Sequence, residues 1–293
     1  MGGVPAASGV IRYTTNGGAS WATQTVSVAN SFADVTASSS SIAWAVGGRG
    51  TAVRTTDGGA HWTGMSVGTT ASLIGVAFVS PNGWIVGTDG TILHTTNGGT
   101  NWSPQSSGTT ADLYAVAFVD ASNGWAVGAS STILHTNNGG TTWGVQYSGT
   151  SPTFRGVAFP DVNHGWVAGS GGALWATTDG GVSWGMWASG TTNDLQSVAF
   201  PDANDGWAVG NAGTIIRYRA LGPLGTPQNL VITASGDNAV LSWEPVSGSG
   251  ISYNVYSDPS CDGAFSLIGS TTDTTYTDVS AEGTTFYRVS AVR

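Results

Sequence analysis

The chain has 293 residues, of which 40% are hydrophobic and only 9% charged, with a net charge of −9. All eight basic residues are arginine, with no basic run or stripe, so nucleic acid and anionic membrane surfaces are excluded as expected partners. No run approaches the ~18 apolar residues of a membrane helix, and the single cysteine, Cys261, can close neither an internal disulfide nor a metal cluster.

The chain opens on MGGVPAASGVIRY, which has neither a basic n-region nor an apolar h-region, so no signal peptide is expected there. The acidic, lysine-free composition points to an extracellular or cell-surface location. Any export signal would then lie upstream or have been removed.

From the N-terminus to Ala220 one unit recurs. The Trp of a GWAVG-like segment returns as Trp44, Trp84, Trp125, Trp166 and Trp207, at spacings of 40, 41, 41 and 41. A second Trp returns as Trp21, Trp62, Trp102, Trp143 and Trp184. A fixed period of this size, filled with short runs of Val, Ile, Phe, Trp and Thr between Gly/Asn/Asp turns, predicts repeated strands and no helix. In the unit that starts at Asp112 the runs are LYAVAF, GWAVG, TILHT and WGVQYS, named A to D. Asn16, Asp57, Asn97, Asn138 and Asp179, each leading into glycines, supply the positive φ of a tight C–D hairpin. Asp120, Asp161 and Asp202 occupy the A–B turn in the same way. Four antiparallel strands per unit, repeated radially, predict a β-propeller.

Complete units start near Ser31, Ser72, Asp112 and Thr153; the unit from Asp194 stops after run C, and the N-terminus supplies a lone C and D. The simplest expectation is about five four-stranded blades, with the N-terminal D run completing the last and one C run spare. More blades are expected if the chain is cut from a larger propeller.

Residues 221–226 read as a linker. From residue 227 to 293 the repeat is replaced by NLVITAS, AVLSWEPV, SYNVYSD, FSLIGSTT, TTYTDVS and FYRVSAVR, strands at the spacing of a β-sandwich.

Two resemblances follow from these residues. Thr55 to Trp62 and Thr177 to Trp184 resemble the Asp-box, or bacterial neuraminidase repeat, with Asn at the other three copies. The whole repeat, VAFVD, NGWAVG, GTILHTTNGGT and SGTT, resembles the photosystem II stability/assembly factor family over residues 1–220. That resemblance implies a propeller in which the hairpins are structural. Residues 227–293 resemble a fibronectin type III domain through Leu241-Ser242-Trp243, Tyr253 to Tyr256 and Tyr287 to Ala291. The resemblance implies a core Trp and a seventh strand, which is missing. Either the sequence is a truncated piece of such a domain, or a strand from another copy, such as Gly9 to Tyr13, fills the gap.

Chemistry is sparse. A sialidase needs a Glu-activated Tyr, yet Glu244 and Glu282 are the only glutamates and both fall in the second domain. A glycoside hydrolase acting on a polysaccharide is the alternative, through paired Asp. However, Asp57, Asp112, Asp120, Asp161, Asp179, Asp194 and Asp202 all sit at repeated positions, whereas a catalytic group should depart from the repeat. His94 and His135 share one slot of run C with Tyr13, Arg54, Ala176 and Arg217. No catalytic residue, metal site or cofactor is expected.

Variation against the repeat is left as the functional signal. The third position of run A reads Ala33, Ile74, Tyr114, Arg155 and Gln196; the B–C turn reads Arg49, Asp89, Ser130, Gly171 and Ala212. Arg49, Asp89, Tyr114, Arg155 and Gln196 are therefore the expected partner-binding residues. The expected protein is a non-catalytic extracellular scaffold. It binds a protein or carbohydrate partner, or other copies of itself in a surface filament.

Overall fold

The computed structural model describes residues 9–24, 26, 28, 30–219, 227–235, 238–246, 250–259, 265–279 and 285–292. The proposed linker, 221–226, and Cys261 lie outside the described residues. The chain divides into two compact units, Met1–Ala220 and Leu221–Arg293.

The first unit is a β-propeller. Four blades are complete: β3 to β6 (Phe32–Ala37, Ala43–Gly47, Thr51–Thr55, Thr63–Gly64), β7 to β10 (Leu73–Val79, Asn82–Gly87, Ile92–Thr95, Ser103–Gln105), β11 to β14 (Leu113–Phe118, Gly124–Gly128, Ile133–Thr136, Gly144–Tyr147) and β15 to β18 (Phe154–Ala158, Gly165–Gly169, Leu174–Thr177, Gly185–Met186). They follow runs A to D in order and are antiparallel throughout. A three-stranded sheet follows, β19 to β21 (Leu195–Ala199, Asp205–Gly210, Ile215–Arg219), and a two-stranded one precedes, β1 and β2 (Ile11–Tyr13, Ala22–Gln24).

The repeated residues build the seams between blades. Trp44, Trp84, Trp125 and Trp166 each stack on a Phe of the next blade, with ring centroids 3.6, 3.5, 3.5 and 3.8 Å apart. The other face of each indole meets the run C slot of its own blade. There His94 stacks on Trp84 at 5.0 Å and His135 on Trp125 at 4.8 Å, while the Arg54 guanidinium lies 5.7 Å from the Trp44 ring. Burial lowers the pKa of both histidines below the ordinary imidazole value, which favours the neutral ring in the stack. The indole N–H donates to the hairpin carbonyl of the next blade: Trp44 to Gly98, Trp84 to Gly139 and Trp125 to Gly180. A glutamine of run D bonds the hairpin carbonyl of the following blade as well: Gln24 to Gly58, Gln105 to Gly139 and Gln146 to Gly180. Apolar stacking and directional hydrogen bonds thus fix the same contact.

The hairpins explain why Asn and Asp interchange. In each, the side-chain Oδ1 accepts the backbone N–H four residues on and the hydroxyl of the Thr two residues before. Only an acceptor oxygen is required, and both residues carry one.

The two incomplete sheets do not join. The expected closure, with the N-terminal D run completing the last blade, is not what forms: β2 pairs with β1, and β19 to β21 remain a separate sheet. The supposedly spare run C is β1 itself, already paired. Its place is ahead of β3 to β6, where Gln24 bonds both Gly58 and the Trp62 indole. A lone strand cannot shed its own hairpin partner for a distant sheet without losing that local ladder.

The second unit holds two three-stranded antiparallel sheets. One is ordered β22-β23-β26 (Gln228–Ser235, Asn238–Glu244, Thr275–Asp278); the other is β25-β24-β27 (Ser266–Thr271, Ser252–Asp258, Phe286–Val292). Leu241, Trp243, Tyr253 and Val255 are its buried centre. In the second sheet β25 and β27 flank β24 and both are edge strands among the described residues.

Candidate interaction face

Each innermost strand carries the same irregularity. The register to its neighbour shifts between Phe32 and Asp34, Leu73 and Gly75, Leu113 and Ala115, Phe154 and Gly156, and Leu195 and Ser197. Ala33, Ile74, Tyr114, Arg155 and Gln196 are therefore the bulged residues, unpaired in the ladder. A bulge re-aims its side chain and frees it from the packing rules of the sheet. Position three of run A varies because the bulge releases it.

The innermost strands pack in succession, β3 on β7, β7 on β11, β11 on β15 and β15 on β19, so the bulges form a row. Within it the structure brings together Tyr114 and Arg155: the guanidinium carbon lies 5.4 Å from the phenol ring centroid. Arg155 Nε is buried without a hydrogen-bond partner, and Arg155 has no ion pair among the described residues. Gln196 is exposed and donates to Asn211 Oδ1 at 3.1 Å. Arg49 and Asp89 are exposed at the B–C turns. Both are held at positive φ, 56° each, a left-handed conformation that sequence reasoning assigns to glycine. The turn is secured from the next blade, where Asp112 accepts the Asp89 N–H and Asp194 accepts the Gly171 N–H, both at 2.9 Å.

The repeated aspartates are thereby accounted for. Asp120, Asp161 and Asp202 accept backbone N–H groups two and three residues on. The Ser183 hydroxyl, its N–H and Thr177 hold the Asp179 carboxyl down to about 2. Asp57 is held well below the usual carboxylate range by the His61 N–H, the His61 ring and Thr55.

A carboxylate that departs from the repeat, Asp34, was not singled out by sequence reading. Asp34 stands where the other blades have Gly75, Ala115, Gly156 and Ser197. Its Oδ2 accepts the Val76 N–H of the next blade at 2.9 Å and its Oδ1 the Val35 N–H at 2.8 Å. Burial raises its pKa, and these two bonds oppose the rise. Both oxygens are engaged, so Asp34 pins the seam between β3 and β7. The signal was available: a charge at a position otherwise occupied by small residues.

A family model described as photosynthesis system II assembly factor YCF48 matches residues 14–107, 102–150 and 148–219. The chain belongs to this family. Among solved structures, YCF48 from Cyanidioschyzon merolae is 22% identical with a TM-score of 0.59, covering 72% of this chain and 77% of that one. A structure of YCF48 bound to D1 peptide is 17% identical with a TM-score of 0.41, covering 66% of this chain and 92% of that one. The GH74 enzyme from Niastella koreensis is 16% identical with a TM-score of 0.57, and the match covers 82% of this chain but 47% of the enzyme. At such identities these likenesses concern the fold alone. No curated protein sequence matches the chain significantly.

Proposed function

We propose that the chain is a non-catalytic binding protein whose propeller holds a protein partner over the row of bulged residues. The observation that carries this reading is the Tyr114–Arg155 pair: a cation over a phenol ring, with a buried Nε unpartnered among the described residues, in the row of bulges. Tyr and Arg are also the residues that most often dominate binding energy at interfaces. Gln196, Arg49 and Asp89 would form the polar rim. Membership of a family described as an assembly factor supports a protein partner over a substrate.

The finer reading places the protein outside the cell, on its lysine-free acidic composition, with Asp-box hairpins as scaffold. The second unit is a fibronectin type III-like module, and its sheet orders β22-β23-β26 and β25-β24-β27 support that assignment. The glycoside hydrolase alternative finds little support, because the repeated aspartates are spent on backbone N–H groups.

The test uses peptides selected by phage display on the full chain. Arg155→Ala and Tyr114→Ala should each weaken the selected peptides by about tenfold or more, with melting temperature unchanged. Equal binding by wild type and variants would sink the assignment.

Self-association is the second element. On the outer face of β19 to β21, Trp207, Val209 and Ile215 are 38%, 41% and 74% exposed, although Trp166 and Ala168 at the preceding blade are buried. Trp166 Nε1 has no hydrogen-bond partner among the described residues, and Trp21, between β1 and β2, is 59% exposed. A filament would join these faces between copies. Light scattering should then show mass growing with concentration; a monomer at every concentration removes the filament.

A further inference from the structure

The face that carries the B–C turns also carries a groove, repeated from blade to blade. It runs between the B–C turn and the loop that leads from run D to the next blade. On β3 to β6 it is bounded by Gly50 and Met65 to Thr70 and holds about 590 Å³. On β7 to β10 it is bounded by Asp89, Gly90 and Gln105 to Thr110 and holds about 610 Å³. On β15 to β18 the groove widens to about 1060 Å³.

The lining of this groove differs from the others by substitutions on this blade. Trp187 stands where the other blades have Gln105 and Met65, and Trp175 where they have Leu93 and Val53. Trp175 is wedged edge-on between Tyr147 at 4.8 Å and Phe154 at 5.2 Å. Trp187 is 38% exposed and meets Tyr218 edge-on at 5.4 Å. Met186 beside it is 83% exposed. Gly171 takes the left-handed turn position that Asp89 and Arg49 fill elsewhere, which removes the charge from the mouth.

The resulting lining contains two indoles, a thioether, hydroxyls and one side-chain amide, and no charged residue. Ser151 and Thr192 hydroxyls and Asn193 Oδ1 make no hydrogen bond among the described residues, while the Asn193 amide N–H is engaged by Thr214. We infer that this groove binds a neutral oligosaccharide. A sugar ring presents an apolar face of C–H groups to an indole and a rim of hydroxyls to hydroxyl and amide partners. An ionic ligand would be desolvated there with no countercharge. An aromatic side chain with a polar neighbourhood suits a ligand with one dry and one wet side. The lining has no carboxylate, and Asp194 behind it is committed to the Gly171 N–H at 2.9 Å. The groove therefore holds a glycan without cutting it, since glycoside hydrolysis requires a carboxyl pair. Neither Tyr114 nor Arg155 lines it, so this site and the protein-binding row stand or fall separately.

The full chain is titrated by calorimetry with cellohexaose, mannohexaose, chitohexaose and laminarihexaose. At least one of the four should bind. Trp187→Ala should weaken that binding by about tenfold, Trp187→Phe should retain most of it, and Trp21→Ala, at an exposed indole elsewhere, should leave it unchanged. Gly171→Asp restores the charge that Asp89 carries on β7 to β10, in a backbone conformation that Asp89 already adopts. It should weaken binding without touching an aromatic ring. No binding by any of the four sugars overturns the inference. So does binding that survives Trp187→Ala and Gly171→Asp, or a charged polysaccharide such as polygalacturonate binding more tightly than all four.

Discussion

Trp84→Ala is expected to cost the propeller about 3–5 kcal/mol of stability, whereas Trp207→Ala, at the equivalent repeat position, costs about 1 kcal/mol or less. Trp84 has no exposed surface. It lies between Phe118 at 3.5 Å and His94 at 5.0 Å, and donates to the Gly139 carbonyl of the next blade. Removing the indole opens a cavity on a seam, strips Phe118 of its stacking partner and leaves the buried Gly139 carbonyl with the Gln105 side-chain amide as its remaining side-chain donor. Trp207 holds the equivalent repeat position but its outer face meets no blade, and it is 38% exposed. Its ring contact is the Arg217 guanidinium at 5.3 Å, and Arg217 is itself anchored by Asp205 at 2.6 Å. Denaturant melts of the full chain, followed by near-ultraviolet circular dichroism, should separate the two variants clearly. The propeller transition must be read apart from that of the second unit, since two units need not unfold as one. Equal losses at the two positions would mean that the outer face of β19 to β21 is covered in solution.

Gly128→Ala is expected to cost about 3 kcal/mol or more, because overpacking here acts on backbone rather than on side chains that can turn aside. The bulge at Tyr114 tips the Asp112 carbonyl over Gly128, and an added Cβ would overlap that oxygen and lie 3.0 Å from the Leu113 Cα. The same close approach recurs at Gly47, Gly87, Gly169 and Gly210, against Ser31, Ser72, Thr153 and Asp194. This is why every GWAVG-like segment ends in glycine. Its φ is extended at Gly47, Gly87, Gly169 and Gly210, so lack of space and not handedness excludes a side chain. Gly144→Ala is the matched control: its Cβ would come no closer than 3.9 Å to the His135 carbonyl, and stability should shift by about 0.5 kcal/mol or less. If the bulge is what Gly128 protects, Gly128→Ala should also disturb the Tyr114–Arg155 pair and weaken the selected peptides. A variant as stable as Gly144→Ala would show that the bulge can relax at little cost.

The sequence by itself determined the strands, the turns and the seams. Trp, Phe, Gln and the Thr-x-Asx hairpin recur at a fixed period, and each contact they make is between one repeat and the next. Translational regularity in the chain therefore becomes regularity in space. The period stops near residue 220, where the two compact units divide. The sequence also marked positions 33, 74, 114, 155 and 196 as variable.

Only the tertiary structure decided why they vary and which of them meet. A bulge is a slip of register between two strands, and register depends on both strands at once. Tyr114 and Arg155 lie a full repeat apart in sequence, yet adjacent innermost strands bring them to 5.4 Å. Left-handed Arg49 and Asp89 were equally hidden, because the turn they close is held partly from outside: Asp112 of the next blade takes the Asp89 N–H. The same holds for the widened groove on β15 to β18, where Trp175 and Trp187 are separated along the chain and joined by strand pairing. Equivalent repeat positions gave Trp84 and Trp207 different burial, because burial depends on whether a neighbouring blade is present.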